Sequence, residues 1–111
     1  MPKLKQFNDK EFNINVAGKN IIFANNPASK TYIKNRMDRM LSKEPETIKW
    51  INGFDKTSVF FDIGANIGIY SLYSAIVKEN SVYAFEPHAA SYKNLLESIN
   101  LNKLQNCNAH C

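Results

Sequence analysis

Two glycines four residues apart, Gly64 and Gly68, lie in the stretch Phe61, Asp62, Ile63, Gly64, Ala65, Asn66, Ile67, Gly68. An acid, Glu86, follows eighteen residues after Gly68. Glycines let a chain turn sharply and leave bare backbone that a ligand can approach. A helix opening at such a turn aims its unpaired N–H groups and the positive end of its dipole into the space beyond. A carboxylate at the tip of a neighbouring strand can reach over that space and accept two hydrogen bonds from a ribose diol. The glycine turn and the distant acid together therefore make a nucleoside-binding device; either half alone would be an ordinary strand-to-helix turn or a surface glutamate.

Which nucleoside is decided partly by what the spacing lacks. The dinucleotide fingerprint G-x-G-x-x-G, started at Gly64, needs glycine at 66 and 69, where this chain has Asn66 and Ile69. A phosphate loop ending in Gly-Lys-Ser/Thr is absent as well. An NAD- or nucleotide-binding half-domain is thus disfavoured but stays open, as does a non-catalytic remnant that binds a nucleoside and transfers nothing. His88, two residues past Glu86, is a candidate base, yet nothing in the sequence converges on it, and a place at a helix start suits it better. Cys107, His110 and Cys111 offer three zinc ligands, but a structural site needs four. The expectation is no metal and a frayed tail carrying free thiols.

The elements that must hold this turn are legible from periodicity. Phe12, Ile14 and Val16 alternate with polar residues, Ala17 to Asn20 break the run, and Ile21, Ile22 and Phe23 resume it, as in a hairpin. Ile33, Met37, Met40 and Leu41 follow helical spacing over 31–41. Pro45 opens a second short helix, with Glu46 in its first turn and Gly53 as its stop. Residues 58–61 read as a strand apolar throughout, as in parallel sheets covered on both faces. A helix with Ile69, Leu72, Tyr73 and Ile76 on one face follows the glycine turn; Tyr70 and Tyr73 are expected to pack. Residues 81–85 make a second strand. Tyr92, Leu95, Leu96 and Ile99 then mark a third helix. Strand, helix, strand, helix is the opening of a parallel α/β sheet.

Composition bounds the rest. The chain has 111 residues, 44% hydrophobic and 22% charged, so it is one globular unit at most and not disordered. The net charge of +4 comes from 12 Lys and two Arg against 10 acids. Residues 1–55 hold ten cations and six acids, residues 56–111 four of each. With so little Arg and no dense basic run, nucleic-acid binding is not expected. Apolar runs too short for a membrane helix, no leader pattern and two cysteines point to a cytoplasmic, reducing setting.

The turn and acid resemble motif I and the second-strand acid of class I S-adenosylmethionine-dependent methyltransferases. The match widens over residues 44–106: Pro45 to Ile51, Val59 to Gly68, Tyr70 to Tyr73, Val82 to Pro87 and Tyr92 to Asn102 together resemble the opening of an FkbM-type methyltransferase. The resemblance implies an incomplete Rossmann-like methyltransferase fold, its first two parallel strands and their helices, preceded by a small hairpin and helical segment. Residues 1–55 would be that lead-in and 56–111 the first part of the S-adenosylmethionine-binding domain. It implies that Glu86 binds the cofactor ribose, that Gly64, Ala65, Asn66 and Gly68 shape the loop beneath it, and that Asp62 helps hold its methionine end. The acceptor would be a hydroxyl of a small molecule or glycan. Because the family's sheet is larger, the chain reads as a truncated product, inactive by itself.

Overall fold

A computed structural model describes residues 3–7, 11–25, 35 and 45–111. It begins with three antiparallel strands, β1 (Lys3–Phe7), β2 (Glu11–Val16) and β3 (Lys19–Ala24), in that order across a sheet. The β2–β3 hairpin is tighter than the sequence suggests. Lys19 and Asn20 belong to β3, and the loop is just Ala17 and Gly18, both with positive φ (51° and 79°). That two-residue geometry matches the twist of paired strands, and it places an alanine where glycine or asparagine is the usual choice. Phe12, Ile14 and Val16 face inward, as their alternation requires. β1 was not expected. It pairs along β2 with a register shift between Leu4 and Gln6, a partnership that its five residues do not announce.

The helix expected over 31–41 lies outside the described residues, apart from Asn35, which is helical. Helix α1 (Pro45–Asn52) starts at its proline, with Glu46 in the first turn and Lys49 in the last. It buries Ile51 while Trp50 packs edge-on against Phe54 and Phe60. Strand β4 (Val59–Ile63), helix α2 (Ile69–Val77), strand β5 (Ser81–Phe85) and helix α3 (Ala89–Leu101) follow in the expected order. A further strand, β6 (Cys107–His110), completes a parallel sheet ordered β4-β5-β6. The terminal residues are therefore a third strand and not a frayed tail. The parallel sheet has three strands where two were expected. Val82 N–H is held by Asn106 O and Glu86 N–H by His110 O, so the β6 backbone is tied at both ends of β5.

Helices α2 and α3 contact both sheets, which gives a sheet–helix–sheet arrangement with one continuous core running from Phe12 and Phe23 through Leu72 and Leu95 to Val82. The N-terminal sheet is attached by a polar stripe on α3. Asn94, Ser98 and Asn102 recur every four residues and so share one helix face. Asn102 accepts from Ile22 N–H (2.9 Å) and donates to Ile22 O (2.6 Å), copying a strand's own pairing. Ser98 Oγ accepts from Ala24 N–H (2.9 Å) and Asn94 donates to Ala24 O (3.2 Å). Buried backbone groups of β3 that face away from β2 are thereby satisfied without another strand.

One expectation about β4 is overturned. Its apolar run suggests cover on both faces, yet Val59, Phe61 and Ile63 are 54%, 61% and 76% exposed while Phe60 and Asp62 are buried. Among the described residues both helices lie on one face of the parallel sheet. The other face carries Phe61, Tyr83, Phe85 and His110 in a row of stacked rings.

Candidate functional site

The site lies at the carboxyl ends of β4 and β5, where a parallel sheet places its ligands. At the end of β4 the chain turns through Gly64, with φ +75°, and Asn66, with φ +58°. The turn is bound to the neighbouring strand: the N–H groups of Gly64 (2.8 Å) and Ala65 (3.0 Å) both donate to Phe85 O. One residue further along, Glu86 Oε1 accepts from Asn66 N–H (2.8 Å) and Oε2 from His88 N–H (2.8 Å). The acid that the sequence set eighteen residues beyond the turn is thus in direct contact with it. Glu86 is 7% exposed. A carboxylate offers about four lone-pair sites, and these two bonds use one on each oxygen.

The two glycines do different work. A side chain at Gly64 would enter open space, with nothing within 4 Å of an added Cβ. Gly68, the residue before α2, has φ +91° and ψ 24°, and a Cβ there would collide with Leu95 Cδ1 of α3. Gly64 therefore borders open space, whereas Gly68 lets α2 and α3 approach each other. Of the two, Gly64 alone offers bare backbone to a ligand.

Asp62 is buried on β4 and faces α2. Ser71 Oγ donates to its Oδ2 (2.6 Å), and the Ser71 backbone N–H also favours the charged form. Helix α2 has no side-chain cap from its own N-cap residue, Gly68. Asp62 takes that role from a different element, its charge lying against the helix's positive end. Burial is the largest influence on Asp62 and raises its pKa above the usual 3.8; the Ser71 bonds oppose the rise, and the Glu86 charge adds to it. The Cys107 thiol, buried on β6, is pushed up to about 12 by desolvation and by the Asp62 charge. It is neutral and unreactive at physiological pH.

The other candidates fall elsewhere. His88 is the N-cap of α3, its Nδ1 accepting from Ser91 N–H (3.4 Å). Tyr73 is buried and donates to Asn52 Oδ1 (2.5 Å), and Tyr70 packs on the core. Cys107 and His110 point to opposite faces of β6, and among the described residues no three His, Cys, Asp or Glu gather to hold a metal ion. No helix of the described residues is long and apolar enough to cross a membrane. Ser71 escaped the sequence reading. Its signal was a small polar residue set inside the buried stripe of Ile69, Leu72 and Tyr73.

No protein-family model and no curated protein matches the chain. Solved structures do. TYW2 from M. jannaschii in complex with AdoMet superposes with a TM-score of 0.63 at 24% identity, over 96% of this chain and 45% of that one. TYW2 from P. horikoshii in complex with MeSAdo gives 0.57 at 21% identity, over 97% and 38%. Trm5b from Pyrococcus abyssi gives 0.56 at 23% identity, over 93% and 28%. The chain has part of the Rossmann-like methyltransferase fold, and it spans less than half the length of these structures.

Proposed function

We propose that this chain is the cofactor-binding part of an S-adenosylmethionine-dependent methyltransferase. In this reading residues 56–111 carry the cofactor site and residues 1–55 form its lead-in. The observation that carries the reading is the Glu86 carboxylate seated on the Asn66 N–H, across a turn whose Gly64 side is open. Glu86 would take the ribose hydroxyls on its remaining lone pairs. Gly64, Ala65, Asn66 and Gly68 would shape the floor, and Asp62 would hold the amino-acid end. When bound, the cofactor supplies an electrophilic methyl group on its sulfonium. The protein's part is to align the acceptor for in-line attack and to keep water out.

The same geometry argues against a dinucleotide. A pyrophosphate cradle needs free backbone N–H groups in the turn. Here those of Gly64, Ala65 and Asn66 are already given to Phe85 O and Glu86. The resemblance of residues 44–106 to the FkbM type supports transfer to a hydroxyl oxygen of a small molecule or glycan. Titration calorimetry tests the cofactor. S-adenosylmethionine should bind the chain weakly, and Glu86→Ala should cost a further ~1–3 kcal/mol by leaving its partners unpaired. Unchanged affinity in Glu86→Ala removes the ribose role. Binding of NAD with none of S-adenosylmethionine overturns the reading.

A further inference from the structure

We propose that Ser71 is a positioning residue for this site: through its hydroxyl and backbone N–H it holds the Asp62 carboxylate charged and in place for the ammonium group of the ligand's amino-acid end. The inference rests on the proposed S-adenosylmethionine site and adds to it a residue that does not touch the ligand.

The argument begins with an imbalance of charge. Asp62 is 9% exposed and Glu86 7%, and the charge acting on Asp62 is that second carboxylate, not a cation. Cys107 faces Asp62 from β6 as a neutral thiol. Burial, with the Glu86 charge adding to it, favours the protonated form of Asp62 unless something holds the charge. Ser71 supplies that hold from α2, where it is fully buried and 2.6 Å from Asp62 Oδ2. A buried hydroxyl so placed costs free energy unless paired, and its bond fixes one carboxylate oxygen and leaves the pair short of a positive partner. A ligand carrying an ammonium and a sulfonium provides positive charge where, among the described residues, only a carboxylate acts on Asp62.

The test compares two probes on the 111-residue chain by NMR-monitored titration. S-adenosylmethionine carries the ammonium; 5′-methylthioadenosine keeps the adenosine and thioether but lacks the amino-acid end. Ser71→Ala should raise the Kd for S-adenosylmethionine about tenfold, the worth of a hydrogen bond to a charged group, and leave that for 5′-methylthioadenosine unchanged. The pH profile should move too. Affinity for the ammonium ligand is lost as pH falls through the Asp62 pKa, and without the Ser71 bond that loss should begin at a higher pH. Glu86 sits at the same turn and meets the adenosine part that both probes share, so the difference between them isolates Asp62. In an Asp62→Asn background, Ser71→Ala should add no further discrimination. If Ser71→Ala does not fold, Ser71→Cys, with a similar size and a weaker donor, takes its place. Equal weakening of both probes, or no change in either, overturns the positioning role. If neither probe binds the unmodified chain, the cofactor reading itself fails and the inference falls with it.

Discussion

Replacing each crevice glycine by alanine should separate stability from binding. Gly68 has φ +91°, a region where a side chain costs roughly 1–2 kcal/mol. Its added methyl also meets Leu95, a fully buried side chain packed into the core. Forcing an extra carbon into such packing costs roughly 1–3 kcal/mol more. Gly68→Ala should therefore lose about 2–5 kcal/mol, a large share of the roughly 5–15 kcal/mol that holds a domain together. Gly64 has φ +75° but open space beside it, so Gly64→Ala should lose only the backbone part, roughly 1–2 kcal/mol. Urea unfolding measures both: with a slope of roughly 1–3 kcal/mol per molar, a packing share of roughly 1–3 kcal/mol should separate the two midpoints by about 0.3–3 M. The packing share can be isolated, since Gly68→Ala in a Leu95→Ala background should cost less than it does alone. Binding should rank the variants the other way, because the Gly64→Ala methyl enters the crevice while that of Gly68→Ala points into the core. Equal stability losses, or a larger loss in Gly64→Ala, would refute the assignment of Gly68 to packing and Gly64 to the crevice.

Two further outcomes follow from the hydrogen bonds. Asn102→Ala removes both partners of the Ile22 peptide and should destabilise the chain by about 1–3 kcal/mol, read from urea unfolding; a loss within experimental scatter would show that water replaces the amide. Asp62 has a raised pKa in the folded state, so between the ordinary value of 3.8 and the raised one the folded chain binds more protons than the unfolded. Its ionisation thus costs stability as pH rises through that window. Asp62→Asn should gain on the unmodified chain over the same range, and a gap between the two that does not change with pH refutes it.

The parts of the structure that the sequence made legible are those encoded by neighbours in sequence. The β2–β3 hairpin, α1, α2, α3 and β5 each carry their own periodicity or breaker, and each stands where that pattern puts it. Gly64 and Glu86 were legible as a pair because a βαβ unit has a short, nearly fixed length, so a step of eighteen residues from Gly68 brings the acid back to the turn. The misses share a different cause. Strand β1 is decided by its pairing with β2, and β6 by the edge of β5 that accepts it; in isolation Cys107, Asn108, Ala109 and His110 carry little strand preference. Asn94, Ser98 and Asn102 look like ordinary polar positions of a helix until the backbone edge of β3 is laid against them. Their four-residue spacing was visible, but the buried partner that gives it meaning was not.

Strand β4 shows the same limit from the other direction. Residues 58–61 have the unbroken apolar character of a strand covered on both faces, and burial of Phe60 against Trp50 and Phe54 accounts for part of that character. Val59, Phe61 and Ile63 account for the rest and stand in solvent beside the rings of Tyr83, Phe85 and His110. No Lys, Arg, Asp or Glu stands among the side chains that β4, β5 and β6 direct to this face. Composition along a strand therefore reports what environment each face suits; which faces are covered depends on elements elsewhere in the fold. The candidate site is insulated from that question, because Glu86, Asp62 and the Gly64 turn draw their partners from α2, β5 and the start of α3, all on the covered side or at the strand ends.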